Sequence, residues 1–542
     1  MRRNRFLLCA LALPALLVML FSSAGCGEQK RPTSDAQYDV IIIGGGMGGL
    51  SAGAHLAANG LKVLLLEQHH KVGGCTTNFT RGDFTFEVAL HVMPGAIKEK
   101  NGGIYQLMKA CGVDEKVTIY ELPDLYRSIY PEVDFTVPAE SWEAYTTAFK
   151  ERWPEESAGI DRFEGLCRQV MADIMAIKDL FRETGFKALV TKVQIPFKQK
   201  TLMEWKDKTL QDTVDECFTD PQLKAVMTQL WMYYSGPADD QTSLMNFAAT
   251  DMFLSGGVCH VMGTSQALSN AYAERIEELG GEVKVGTLVT KIIIEDGLAT
   301  GVETFYGDVY TARYVICNTD PFQMVFKLIG EQNLPKKYVA KIKGMKPANS
   351  LFGVYLGLSI DLKKLGYTDT DIIYNKSYSS NEVYDKWMKG EIRDTACLIG
   401  IYSNYGDPIY APPGKSLLNI LVYSDINLWP KDYDEYQAMK KEKAAELIAL
   451  AAEVIPEIAD SKNVEVMEVI TPVTLEEFTK NYQGSPYGFY MSLEQWEKIP
   501  NDTPIDNVFI ASNWTQGFHG VGAGQVNGWR AARLILDREG ID

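Results

Sequence analysis

The 542-residue chain is long enough for two domains, and its 46% hydrophobic and 23% charged residues suit a globular protein with a sizeable core. Its formal net charge is −17, and the opening segment holds Arg2, Arg3 and Arg5 and no acid, so the remainder is more acidic still. That balance argues against nucleic-acid binding, because an acidic surface repels phosphates, and against broad electrostatic docking to anionic lipid.

Residues 1–25 read as a targeting segment outside the fold: a basic start, then an apolar run from Leu7 to Phe21 too short to span a bilayer comfortably. Ser22-Ser23-Ala24-Gly25-Cys26 follows and resembles a bacterial lipoprotein signal, with Ser23 where Leu is usual. An ordinary cleaved signal with an incidental Cys26 is the alternative. The lipoprotein reading predicts an exported protein, periplasmic or at the cell surface, lipid-anchored at Cys26 through a polar tether over 26–37. Of nine cysteines, seven are dispersed through the remaining chain without a CxxC pair, so neither a metal site nor a disulfide scaffold is expected.

Tyr38 to Ile43 is a buried-strand pattern, Leu50 to Asn59 a small-residue helix closed by Gly60, and Lys62 to Leu66 a second buried strand ended by Glu67. The turn between the first strand and the helix reads Gly44-Gly45-Gly46-Met47-Gly48-Gly49. Gly44 permits the tight turn, Gly46 lets backbone approach a pyrophosphate, and Gly49 and Gly53 let the helix lie close to the sheet. The helix start offers free N–H groups and a positive dipole to phosphates. Glu67 stands where an acid accepts hydrogen bonds from ribose hydroxyls. The unit therefore predicts a Rossmann-type site for the ADP half of a dinucleotide.

Gly73-Gly74-Cys75-Thr76 lies just beyond Glu67. A second glycine doublet there is typical of FAD enzymes of the amine-oxidase kind, so FAD is the expected cofactor. Near the end, a strand over 507–511 leads through Ser512-Asn513-Trp514 and the glycines of 517–524 into a helix from Gln525 to Leu536. Such an entry suits a helix dipole aimed at the flavin edge that gathers negative charge on reduction.

With "GGCTTNF", "DFTFEVALHVM", "ARYVICNTDP", "TPVTLEEFTKNYQGSPYGF" and "GVGAGQVNGWRAARLIL", the chain resembles the phytoene desaturase, carotenoid isomerase and retinol saturase group of FAD enzymes. The resemblance implies an α/β fold: a Rossmann-type FAD-binding domain of the amine-oxidase and phytoene-desaturase kind with an interleaved α+β substrate domain. It implies cofactor contacts at Gly44, Gly46, Met47, Gly48, Gly49, Glu67, Gln68, Gly74, Cys75, Thr76, Val289, Asn513, Gly522 and Val526. The group's Asp-x-Gly before the His is Glu87-Val88-Ala89 here, its Tyr after that His is Val92, and Ser512-Asn513 stands for a Gly-Asp pair. These departures bear on the substrate more than on the cofactor.

The FAD domain is expected over 38–105, 250–325 and 500–542, and the substrate domain over 106–249 and 326–499. Ile160 to Phe181 has a helical apolar period, Asp296-Gly297 reads as a hairpin turn, and Phe352 to Leu358 and Leu417 to Val422 read as strands of a second sheet. No second dinucleotide fingerprint occurs, so a separate nicotinamide domain is not indicated. The resemblance implies desaturation, saturation or isomerisation of a C=C bond in an apolar polyene or lipid, by hydride transfer at flavin N5. The electron donor or acceptor is unassigned. Two other readings stand beside it: an amine-oxidase-like enzyme on a polar amine, and a flavin electron-transfer protein without an organic substrate.

Phe186 to Lys208 mixes apolar residues with six lysines. It reads either as a solvated helix and loop or as a membrane-docking segment. His91 and His519 are each either a structural hydrogen-bonder or a proton donor beside the flavin. His69 and His70 are expected at the surface near the adenosine, and Trp231 to Tyr234 in the core or the pocket wall.

Overall fold

The computed structural model describes residues 35–97, 99–177, 198–234, 236–495, 498–515, 517 and 519–541. The expected targeting segment over 1–25, Cys26 and most of the apolar part of Phe186–Lys208 lie outside the described residues. Tyr38–Ile43 (β1), Met47–Ala58 (α1) and Val63–Leu66 (β2) form the expected first unit, and β1 and β2 pair in parallel. The first sheet continues in parallel through Glu282–Lys284 beyond β2 and through Val309–Cys317 and Val508–Ile510 on the other side of β1. Leu64 and Leu65 of β2 and Ile41 and Ile42 of β1 are fully buried, as a sheet covered on both faces requires. A hairpin of Val289–Glu295 and Leu298–Thr304 joins the start of Val309–Cys317. Asp296 and Gly297 both have positive φ, the geometry of the expected tight turn.

A second seven-stranded sheet runs Val464–Ile470, Ser350–Leu358, Ser416–Ser424, Ala396–Gly400, Ile372–Asn375, Asp124–Tyr130, Val133–Pro138. It is antiparallel except where Ile372–Asn375 meets Asp124–Tyr130. Every residue of Ser350–Leu358 and Ser416–Ser424 is buried, because helices and loops cover both faces. Residues 36–542 form one compact unit.

The expected helix at Ile160 runs Ser157–Ile177. Ile160, Phe163, Cys167 and Val170 face the core, while Leu180 and Phe181 lie outside the described residues.

The final helix differs from expectation. It spans Gly520–Glu539 rather than starting at Gln525, so the glycines read as its approach form its first turns. Contact with α1 is the physical reason. A Cβ on Gly524 would stand 3.3 Å from the Met47 Cβ, and one on Gly528 would collide with the Gly48 carbonyl. Small residues let two helices meet at backbone distance, and that packing stabilises a helix whose intrinsic propensity is poor.

Candidate functional site

At the carboxyl ends of β1 and its neighbour Val309–Cys317 lies a cavity of about 890 Å³. Ligands of open α/β sheets bind at this edge, where strand order changes direction. Gly44 turns the chain out of β1 with φ of 96°, a conformation that favours glycine. Gly46 precedes α1 without any side-chain cap, and the first turn carries no acid, so its N–H groups are left to a ligand. Gly44, Gly46, Met47 and Gly48 line the cavity. Gly49 does not: it packs behind the wall against the Gly44 carbonyl and Ile42.

Glu67 is buried at the end of β2. Its carboxylate accepts hydrogen bonds from the N–H of Gly45 (2.7 Å) and of His69 (2.8 Å). These use two of its roughly four acceptor positions, and the residue still reaches the cavity. Glu67 therefore shapes the glycine turn as well as facing the ligand. His69 is a correction to the surface placement expected for it: it lines the cavity and stacks on Phe478 at 4.1 Å, whereas His70 is peripheral.

The glycine doublet crosses the turn, with the N–H of Gly73 bonded to the Gly45 carbonyl at 2.7 Å. Gln68, Gly74, Cys75, Thr76, Val289, Asn513, Gly522 and Val526 all line the same cavity. Burial pushes the Cys75 thiol up to about 11, so it stays protonated and is not a nucleophile. Asn318 was missed by sequence reasoning. It sits just past the Val309–Cys317 strand, its Nδ2 reaches the Gly44 carbonyl at 3.4 Å, and it lines the cavity. Its place at a strand's carboxyl end beside β1 is the signal that could have found it.

Among the described residues, the wall also holds buried polar atoms without a hydrogen-bond partner: Ser512 Oγ, the Asn513 Oδ1, both amide atoms of Asn527 and both ring nitrogens of His519. Buried polar groups are ordinarily hydrogen-bonded, so this cluster fits a ligand rich in donors and acceptors. A dinucleotide with a flavin head meets that description, and its diphosphate fits the uncapped start of α1.

His519 precedes the final helix and stacks against Tyr487 with centroids 5.7 Å apart. Burial, and then the charge of Lys498, push its pKa well below the ordinary range; the Phe489 backbone opposes this only in part. A neutral His519 is a hydrogen-bonding group rather than a ready proton source. His91 also lines the cavity, but with its Nδ1 held 2.6 Å from Asp371. Asp371 had no signal in the sequence, being 280 positions away. Tyr233 and Tyr234 belong to the wall, and Trp231 and Met232 to the core. Glu87 stands behind the wall, where its carboxyl accepts from the Ser265 N–H at 2.9 Å at the start of Thr264–Glu278. Burial raises its pKa to about 8.

Lys498 is 2% exposed, and its Nζ donates to the carbonyl of Gly517 at 3.1 Å. Burial lowers its pKa from about 10.5 to about 7. Between those values the unfolded chain binds a proton that the folded chain does not, so this group's contribution to stability rises with pH from about 7 to about 10.5. Lys498→Met removes that slope and stabilises the protein at pH 7. Urea unfolding of both proteins across this range checks it, and an unchanged slope in the variant refutes it.

The model of flavin-containing amine oxidoreductases matches residues 47–536. A prolycopene isomerase of an Oncidium hybrid cultivar is 26% identical over 87% of this chain and 78% of its own length. The all-trans-retinol 13,14-reductase of Danio rerio is 22% identical over 87% and 82%, and the neurosporene-forming phytoene desaturase of Rhodobacter capsulatus 24% over 92% and 94%. Among solved structures, a redesigned putrescine oxidase is similar in fold, with a TM-score of 0.61 at 16% identity over 92% of this chain and 99% of that one. With an uncapped start of α1 that fits a diphosphate, orphaned polar groups in the same cavity and a family match over most of its length, the chain belongs to the flavin-containing amine oxidoreductase family and is an FAD-dependent oxidoreductase.

Proposed function

We propose that this enzyme desaturates, saturates or isomerises a C=C bond of an apolar polyene or lipid. The observation that carries the reading is the wall of the cavity away from the glycine turn. Met171, Ile174 and Met175 of Ser157–Ile177 and Met252 and Phe253 of Ser243–Gly256 supply it. Flexible, polarisable methionines accommodate a long hydrocarbon.

Two charged groups on the cavity wall already have protein partners. Asp251 accepts from the Trp142 indole at 3.1 Å and the Ser255 hydroxyl at 3.0 Å, and Lys100 pairs with Glu121 at 2.8 Å. A polar ammonium substrate would find these groups occupied. The names carried by similar proteins, which act on prolycopene, retinol and phytoene, support the same substrate class.

FAD, when bound, supplies hydride exchange at N5. The chain's own part is to cradle the diphosphate at Gly46–Gly48, hold the ribose near Glu67, and exclude water with the apolar wall. We also propose that the chain is exported and anchored through a lipid on Cys26. Labelled palmitate retained by Cys26→Ser would refute that anchoring.

The test of function is anaerobic challenge of the purified flavoprotein, once photoreduced and once oxidised, with retinol, phytoene and unsaturated fatty acids in micelles. A change in the polyene spectrum is expected, with reoxidation of the reduced flavin for saturation, bleaching of the oxidised flavin for desaturation, and no net flavin change for isomerisation. Reoxidation by quinones or cytochromes alone refutes the reading, as does hydrogen peroxide release with amines and none with lipids.

A further inference from the structure

His91 is held at two points. Its ring Nδ1 lies 2.6 Å from Asp371 Oδ2, and its backbone carbonyl accepts from His260 Nδ1 at 3.0 Å. His260 is fully buried, and burial lowers its pKa to about 4. It is therefore neutral, its Nδ1 carries the hydrogen given to His91, and its Nε2 accepts from the Tyr410 hydroxyl. Tyr233 sets its ring edge-on to His91 at 4.6 Å and donates to the same Asp371 oxygen at 3.2 Å. Burial, then the Asp371 charge, hold the Tyr233 phenol well above its ordinary range, so it remains a donor.

Asp371 is 2% exposed, and among the described residues its other oxygen has no hydrogen-bond partner. A buried carboxylate half-satisfied in this way is expensive. With Nδ1 committed to Asp371, His91 has only Nε2 left for the cavity it lines.

We propose that His91 is the catalytic proton-transfer residue, working through Nε2, and that Asp371 is its positioning residue. The inference rests on the C=C chemistry proposed above. In the saturating direction the π bond breaks and two C–H bonds form. FAD, when bound and reduced, would supply the hydride for one carbon and be oxidised by that transfer, and the neighbouring carbon takes the proton of His91 Nε2, which solvent restores. Desaturation is the reverse, with oxidised flavin as acceptor and neutral Nε2 as base. The carboxylate fixes the tautomer and balances the imidazolium, as in other His–Asp pairs.

The experiment uses the flavin-loaded full chain as wild type, His91→Ala and Asp371→Asn, photoreduced and mixed with retinol, and oxidised and mixed with phytoene. His91→Ala is expected to slow flavin reoxidation about 100-fold or more, with the KM little changed and with partial rescue by free imidazole. Asp371→Asn is expected to lose about 30-fold or more in kcat at similar KM. Its imidazole 15N spectrum should show the His91 hydrogen leaving Nδ1, which ties the loss of kcat to the tautomer that Asp371 fixes. A wild type silent to every polyene overturns the function reading. An active wild type with His91→Ala within about threefold of it, or an unchanged 15N spectrum in Asp371→Asn, overturns this inference alone.

Discussion

Gly48→Val yields protein that is colourless and destabilised by about 3 kcal/mol or more. A Cβ at Gly48 would collide with the Ala511 carbonyl, a backbone atom at the end of Val508–Ile510, and would press on the Asn318 side chain. On the same residue, the Gly48 carbonyl faces Gly528 of the final helix. Three pieces of backbone distant in sequence thus meet at one α-carbon, and none can retreat without moving a whole element. The displaced element would be the uncapped start of α1, which lines the cavity and is the proposed seat of the diphosphate. Flavin absorbance after purification and the melting temperature check the effect together. A yellow variant with stoichiometric FAD would show that the close approach of these elements does not govern binding.

Glu67→Ala weakens FAD binding about 30- to 1000-fold, equivalent to about 2–4 kcal/mol. Part of this is the ribose contact, and part is internal. The carboxylate accepts from the Gly45 and His69 N–H groups at 2.7 and 2.8 Å, and charge-assisted bonds of this length are the strong ones. Removing it leaves the Gly45 N–H without its partner and loosens the turn on which the diphosphate rests. Glu67→Gln retains one acceptor oxygen but turns a donor toward the second N–H, so it falls between wild type and alanine. Titration of FAD into the apoproteins measures all three. An alanine variant that melts lower yet binds FAD with wild-type affinity would assign Glu67 to the loop alone.

The His91 pair and the glycine turn differ in how they are encoded. Gly44, Gly46 and Glu67 act through chain geometry that repeats whenever strand, turn, helix and strand follow one another, so spacing alone reveals them. Asp371 acts through a side-chain contact across 280 positions. No local period or turn signal marks such a residue; it is defined by the pairing of Ile372–Asn375 with Asp124–Tyr130, which sets it beside His91.

By itself the sequence determined the β1–α1–β2 unit, the acid at the end of β2, the hairpin turn at Asp296-Gly297 and FAD as cofactor. Each is written in residues near one another in the chain, where backbone sterics and hydrogen bonding act directly. Tertiary structure alone decided that the final helix begins at Gly520, that Gly49 stands behind the cavity wall while Asn318 stands in it, and that His519 is buried neutral while His91 is tied to a carboxylate. Those outcomes depend on desolvation and on backbone-to-backbone contact between remote segments. Both are properties of packing, and they exist only once the chain has closed on itself.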